Sequence, residues 1–392
     1  MKRRASRAVV AQLGGLALAV AGCGGGDSHR GLTPFEMHLY LEPTTLDTAL
    51  AFKRVAQGYD ASCMLTVAGE AWCWGGNEYG QLGAVASETC SEGNVPCSWQ
   101  PLRAASPMRF ASLSPGLRQS CGLDTTGQAW CWGSGYARPV GSGNSVKGTT
   151  PVAIADGRRF VQIDAGRDSS IACGLDDGGT IRCWGLVGGD PLGTVNATAS
   201  PVQAPRPFAS IGVGSGHVCG LDTSGQAWCW GNNDAGQLGR GAPGPVSVPT
   251  AVVGGHRFAS IAVGGNFTCG LTAAGTAWCW GSFGPGVGGG ISIYLDVPTA
   301  VAGGHLFKNL SAGYSGTCGL TDDGTAWCWG LSMFLGDGTE QSSAAPVAVA
   351  GGRKFRELQV GGVATCGITI EGTPMCWGSN FHGSVGQSNV DP

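Results

Sequence analysis

The chain has 392 residues, a formal net charge of −3 and 12% charged side chains, beside 71 glycines and 17 cysteines. Glycine this abundant without a triplet period, mixed with tryptophan and valine, excludes collagen and suits short strands with tight turns better than a disordered linker. The thin, slightly acidic charge argues against a nucleic-acid partner, whose phosphates call for clustered positive charge.

Lys2, Arg3, Arg4 and Arg7 precede a small, mostly apolar run, Ala8 to Ala21. That run is too short for a bilayer core of about 30 Å. It ends in "VAGC", Val20–Cys23, which resembles the bacterial lipoprotein signal. The resemblance implies a signal peptide over 1–22, a lipid on Cys23, and a flexible tether over 23–34 that begins with Gly24–Gly26. Membrane contact would then run through the anchor alone, at the cell envelope or surface. Without the four basic leader residues, 19 Lys and Arg face 26 Asp and Glu, about −7. Sixteen cysteines follow Cys23, an even number, in a compartment where disulfides persist.

Self-similarity dominates the rest. Seven cysteine pairs each span ten positions. They are Cys63 with Cys73, Cys121 with Cys131, Cys173 with Cys183, Cys219 with Cys229, Cys269 with Cys279, Cys318 with Cys328 and Cys366 with Cys376. A Gly lies six residues after each first Cys, as Gly275 follows Cys269, and Trp-Gly follows each second Cys. Six pairs have a Phe eleven residues upstream; the third has Phe160 thirteen upstream of Cys173, a two-residue insertion.

These offsets specify a hairpin. In "CGLTAAGTAWC" (Cys269–Cys279) a type I turn closed by a left-handed Gly275 sets Thr272 against Thr276 and Cys269 against Cys279. Opposed Cα atoms at such a non-hydrogen-bonded position sit about 4.5 Å apart, within disulfide reach. Alternation puts Cys269, Leu271, Ala277 and Cys279 on one face and Trp278 and Trp280 on the other, with Trp278 opposite Gly270 and able to cover it.

Each period also holds a strand such as "FASIAVG" (Phe258–Gly264) and a fourth expected after a proline, as in "PTAVVGG" (Pro249–Gly255). Four strands about every 50 residues, seven times, predict an all-β fold. The expected architecture is a seven-bladed β-propeller of four-stranded antiparallel blades with one hairpin disulfide per blade. Repeats are expected near 50–108, 109–158, 159–206, 207–256, 257–305, 306–353 and 354–392, within a domain over 35–392. The last repeat lacks its fourth strand, so 35–43, around "FEMHLYL", is expected to close the ring.

The stretch "GHVCGLDTSGQAWCWGNNDAGQLGRG" (Gly216–Gly241), echoed by "WGGNEYGQLG" (Trp74–Gly83) and "WGSNFHGSVG" (Trp377–Gly386), resembles the regulator-of-chromosome-condensation family over about 50–386. Eukaryotic members include a guanine-nucleotide exchange factor on chromatin; the export signal, disulfides and acidic balance oppose that activity here. Exported bacterial propellers of similar repeat type include protein inhibitors of β-lactamases that bind through loops on one face. The scaffold does not name a partner.

Zinc fits poorly, because structural sites use closely spaced cysteine pairs from two knuckles. No C-x-x-C redox motif occurs. Staples are the better reading, each closing an eleven-residue loop for about 2–4 kcal/mol. Repeated tryptophans suit packing between blades better than sugar platforms. Trp99 stands outside the register, in an insertion (Ala84–Pro107) that carries Cys90 and Cys97 around "SEGNVP". This disulfide-tied loop, with Cys90, Glu92, Asn94, Cys97 and Trp99, is the candidate binding element; the competing reading is an idle stabilised insertion. His217 reads as structural, and His256 and His305 as exposed turn residues. "GPGVGGG" (Gly284–Gly290) lacks the Lys-Ser/Thr of a phosphate loop. No catalytic constellation, metal site or cofactor emerges. The expectation is a monomeric module that binds an envelope or extracellular protein; a channel enzyme and a carbohydrate or wall binder are the alternatives. Alkylation and intact-mass measurement of the native protein should find no free thiol among the sixteen cysteines and label all of them after reduction. Labelling of any hairpin pair before reduction would remove the staple.

Overall fold

The computed structural model describes residues 39–46, 48–90, 95–133, 148–154, 157–166, 171–185, 196–283 and 293–387. They form seven antiparallel sheets, six of four strands and one of five, arranged as the blades of a β-propeller. β1 (Leu39–Thr45) joins the sheet of the last blade, pairing with Pro374–Ser379. The first blade is β2 (Phe52–Gln57), β3 (Ala61–Thr66), β4 (Ala71–Gly76) and the outer β6 (Val95–Arg103), with β5 (Glu88–Cys90) added on its edge. Blades two to six repeat the four-strand pattern in chain order.

The hairpin arithmetic holds in every blade. Cys63 faces and bonds Cys73 in the first blade, Cys121 bonds Cys131 in the second and Cys173 bonds Cys183 in the third. The same pairing joins Cys219 to Cys229, Cys269 to Cys279, Cys318 to Cys328 and Cys366 to Cys376 in the remaining four. In all seven the Cα atoms are 4.1 Å apart, a little closer than the spacing expected from strand geometry. Gly275 closes its tip at φ +85°, a conformation that an L side chain resists. Gly270 does face Trp278, yet the group lying on it is the ring of Phe258, about 2.5 Å from where a Cβ would stand. Phe110, Phe160, Phe208, Phe307 and Phe355 lie likewise on Gly122, Gly174, Gly220, Gly319 and Gly367. This is why the register phenylalanine and the glycine after each first Cys recur together.

The fourth strand differs from expectation. It runs through its proline instead of following it, as in Val246–Ala251 around Pro249. Pro43, Pro101, Pro151, Pro249, Pro298 and Pro346 each precede the residue facing a second Cys, where the pairing is bulged. An outermost strand has one unpaired edge, and a proline at a bulge withholds a donor there and discourages edge-to-edge pairing. The closing strand, Leu39–Thr45 with Pro43, overlaps the expected 35–43 from Leu39 onward and runs two residues beyond it; residues 35–38 lie outside the described residues.

Blades meet through one repeated contact. The disulfide side of a blade packs against the Phe and second Trp of the next, so Cys219 and Cys229 share a cluster with Phe258 and Trp280. At the ring's closure Cys366 and Cys376 meet Phe52 and Trp74. All seven second tryptophans, from Trp74 to Trp377, are buried.

A glycine collar lines one mouth of the central channel. A Cβ on Gly58, Gly116, Gly214, Gly264, Gly313 or Gly361 would stand within 2.8 Å of the equivalent carbonyl of the next blade. The turns are also linked blade to blade by backbone bonds, among them Gly265 N to Gly313 O (3.0 Å), Tyr314 N to Gly361 O (3.1 Å) and Gly362 N to Gly58 O (2.8 Å). Gly116→Ala should therefore destabilise the fold by about 1–3 kcal/mol in chemical denaturation, and an unchanged midpoint would remove the collar as a constraint. Deleting residues 39–45 should lower the melting temperature sharply; an unaltered melting curve would show that β1 contributes little to closure.

Candidate binding surfaces around the channel

Antiparallel topology gives the ring two unlike faces. The collar face carries the turns between first and second strands and the long connections from third to fourth strands. The tip face carries the hairpin tips and the blade-to-blade connections.

On the collar face, the two Gly-Gln-Leu-Gly loops and the Gly-Ser-Val-Gly loop of the last blade are taken up by packing. The indole Nε1 of Trp132 donates to Gln81 O (2.9 Å), that of Trp280 to Gln237 O (2.9 Å) and that of Trp74 to Ser384 O (3.1 Å). Each loop thus caps the tryptophan of the following blade. At the hub the Tyr59 and Tyr314 rings meet edge to face at 5.7 Å, over the turn at Gly362, where a Cβ would strike Tyr59.

The insertion in the first blade lies at the outer edge of its sheet, where β5 is four strands out from the channel-lining β2. Cys90 and Cys97 are bonded, with Cα atoms 5.7 Å apart, and β5 and β6 form the extra hairpin. Trp99 is half-buried: its backbone N–H donates to Glu88 Oε2 (2.9 Å), and the residue packs on Gly383 of the last blade. Glu92 and Asn94 lie outside the described residues, as do Cys23 and the whole of 1–34 and 284–290. Alongside, His382 Nδ1 meets Asp60 Oδ2 at 3.0 Å and joins the last blade to the first. The insertion therefore abuts the seam where the ring closes.

The channel holds a cavity of about 240 Å³ lined by the seven inner strands, and toward the tip face a depression of about 360 Å³. Several of their polar groups bond between blades. Gln162 forms a paired amide contact with Ile211 (2.7 and 3.0 Å), and Asp164 accepts from Ser114 Oγ and Val213 N (both 2.8 Å). Glu357 accepts from Val55 N (3.3 Å) and lies 3.9 Å from Arg54; burial raises its carboxyl pKa against these contacts. Among the described residues no group of three His, Cys, Asp or Glu is placed to hold a metal ion.

Two of the half-buried first tryptophans also have hydrogen-bond partners. Trp130 and Trp228 donate through Nε1 to Asp124 (2.9 Å) and Asp222 (3.1 Å). Where Arg182 replaces that Trp, its Nε lies 3.5 Å from Asp176, the equivalent carboxylate. Burial raises the Asp222 pKa, but bonds from Ser224, Trp228 and Gln226 outweigh it and hold the carboxyl below its ordinary range. His256 and His305, expected to be exposed, are half-buried and stack on Trp278 and Trp327 with centroids 4.0 and 3.8 Å apart. An imidazole on an indole face buries two flat surfaces at once, which a turn motif does not reveal.

The formal charge hides a segregation. Asp60, Glu78, Asp234, Asp337 and Glu340 belong to the turns and connections of the collar face, with Arg118 and Arg240 among them. Most described cations are on the tip face. One row matters there: the residue after each register phenylalanine is Lys53, Ala111, Val161, Ala209, Ala259, Lys308 or Arg356, always exposed. The cations fall in three consecutive blades, the sixth, the seventh and the first. Residue-type counts over the whole chain concealed this row; aligning the seven repeats at their phenylalanines displays it.

A signature described as the regulator of chromosome condensation (RCC1) repeat matches residues 52–81, 208–237 and 307–332, and a second of the same description matches 224–271. Over these residues the chain carries RCC1-like repeats. It is similar to the human E3 ubiquitin-protein ligase HERC2, 27% identical over 208 residues, or 50% of this chain and 4% of that protein. The bovine secretion-regulating guanine nucleotide exchange factor is 28% identical over 169 residues, 41% of this chain and 34% of the relative. The chain thus spans well under half the length of these curated relatives. Among solved structures, human WBSCR16 superposes with a TM-score of 0.71 at 18% identity, covering 91% of this chain and 94% of that one. Prp20p of Saccharomyces cerevisiae, described with its binding to Gsp1p and histones, gives 0.63 at 20% identity over 83% and 81%. These likenesses show the fold.

In this RCC1-like chain the histidine before the fourth disulfide is structural. His217 is fully buried, and its Nε2 lies 2.9 Å from Thr268 Oγ1, which is also 3.2 Å from Gln237 O. Burial lowers its pKa to about 3, against an opposing backbone bond at Phe267. The unfolded chain protonates near pH 6.5 while the folded one does not until about pH 3, so stability is full above pH 6.5 and declines as pH falls. Between pH 7.5 and 5 this one group should remove about 2 kcal/mol of unfolding free energy, a loss that His217→Asn should lack. Parallel losses in the two proteins would take His217 out of the pH response.

Proposed function

We propose that this protein is an exported, lipid-anchored propeller that binds another protein at the cell envelope or surface, and that it has no catalytic role. One observation supports this most. The residues that recur in every blade are spent on contacts between blades, whereas the connections on the collar face and the inner row on the tip face differ from blade to blade. A rigid ring with varied loops presents a preorganised surface, which lowers the ordering cost of association. The eight described disulfides suit an oxidising compartment. The sequence before Cys23 supports export and lipidation at that cysteine, followed by a tether to about residue 34 and the propeller beyond it.

A solved structure of yeast RCC1 (Prp20) bound to Kap60, similar to this chain at a TM-score of 0.64, offers a precedent for a propeller of this kind in a protein complex. The partner here is proposed to be an envelope or extracellular protein, bound by a monomeric ring.

Affinity capture from envelope extracts with the purified mature protein, followed by mass spectrometry, should recover a specific protein. Recovery of nothing above a heat-denatured control would end the binding reading. Deleting Ser87–Ser98 should abolish capture if the first-blade insertion carries recognition, and full retention would dismiss that loop. A small GTPase whose nucleotide release the protein accelerates would replace the proposal with an exchange activity.

A further inference from the structure

A second surface stands out on the tip face, apart from the collar-face insertion, in the arc formed by the sixth, seventh and first blades. Each of these blades places an exposed aliphatic side chain beside an exposed cation. In the sixth, Leu306 (62% exposed) is two residues from Lys308. In the seventh, the hairpin tip bearing Ile370 (56% exposed) is bonded through its N–H to Lys354 O (3.0 Å), two residues before Arg356. In the first, the N–H of Val67 (68% exposed) donates to Ala51 O (3.2 Å), two residues before Lys53.

The three units are contiguous. The Arg356 guanidinium donates to Phe52 O, and Arg54 reaches Glu357, so the seventh and first blades touch directly at this mouth. Among the described residues, neither Lys53 nor Lys308 has a carboxylate within 4 Å. Nothing in the packing of the blades calls for these side chains, since the second to fifth blades carry Ala, Val, Ala and Ala at the same position. Beside the arc lies the depression of about 360 Å³, lined in part by Arg54, Gln162, Glu357 and Gln359.

We propose that this arc is the docking surface for an acidic, amphipathic polypeptide segment of the partner; the inference rests on the protein-binding reading above. Alternating cations and aliphatics match alternating carboxylates and apolar side chains, so that charge steers the approach and apolar burial holds the complex. A phosphate backbone or an anionic bilayer surface satisfies only the cations. The polypeptide is therefore favoured over either polyanion.

The test is fluorescence anisotropy of the mature protein with four labelled probes: a Glu/Leu alternating peptide, a Glu/Ser peptide of equal charge, duplex DNA and phosphatidylglycerol vesicles. The Glu/Leu peptide should bind at least tenfold more tightly than the other three. Lys53→Glu with Lys308→Glu should weaken it tenfold or more with melting temperature unchanged, and Leu306→Ser with Ile370→Ser should remove the preference for Leu over Ser. A separate variant adding Arg356→Glu should weaken binding further, but it also touches the bond to Phe52, so the double variant decides. Equal or tighter binding of DNA or vesicles overturns the proposal, as does an unaffected double variant. If envelope capture by the wild type persists in the double variant, this surface is wrong while the binding reading stands. If the wild type captures nothing, the binding reading falls, and the peptide titration still decides what the arc recognises.

Discussion

Each blade carries a flat apolar sulfur bridge on one side and a paired phenylalanine and tryptophan on the other. Neither side is buried within its own blade, and four strands alone do not enclose a core. Stacking one blade's bridge under the next blade's rings solves both problems together, and only a closed ring leaves no face over. Six of the seven blade-to-blade contacts gather bridge, Phe and Trp into a single cluster. Between the first and second blades Leu65 and Ala71 stand beside Phe110 and Trp132 instead. The Phe and Trp rings within a blade lie 5.7–6.1 Å apart wherever the pair is in ring contact, which adds an aromatic contribution to area burial.

Two sets of hydrogen bonds fix the angle at which these faces meet. On the tip face the glycine carbonyl of one hairpin accepts from the phenylalanine N–H of the next blade, as Gly225 O does from Phe258 N at 2.8 Å. On the collar face the turn glycines approach one another so closely that no side chain fits between them. With both ends of each seam pinned and each hairpin cross-linked, the ring behaves as a scaffold and the variable positions are left to recognition. The acidic collar face and the cationic arc of the tip face are then separate presentations on one rigid body.

The repeat was legible in the sequence because its signals are local. Cysteine spacing, the tip glycine and the alternation of Cys279 against Trp280 follow from hairpin geometry, which needs only neighbouring residues. The register phenylalanine was visible as a recurrence but not as a contact, since Phe258 reaches Gly270 across a bulged strand pair. The proline of the fourth strand was also visible, yet its place inside the strand depends on the bulge opposite Cys229 and Gly231. The glycines five residues before most first cysteines carry a signal that is not local. Their reason lies in a neighbouring blade about fifty residues away in the chain, although their fixed offset was there to be counted.

The sequence alone determined the number of blades, the pairing of the hairpin cysteines and the side of each strand that tryptophan occupies, because a two-residue periodicity and a ten-residue spacing admit one local geometry. The tertiary structure decided which surfaces meet and which charges gather. Ring closure brings Glu357 to Arg54 and His382 to Asp60, pairs roughly three hundred residues apart. It also turns three lysine and arginine positions, scattered along the chain, into one arc. Those placements follow from the rotation between blades, which is a property of packed faces and is not written in any single repeat.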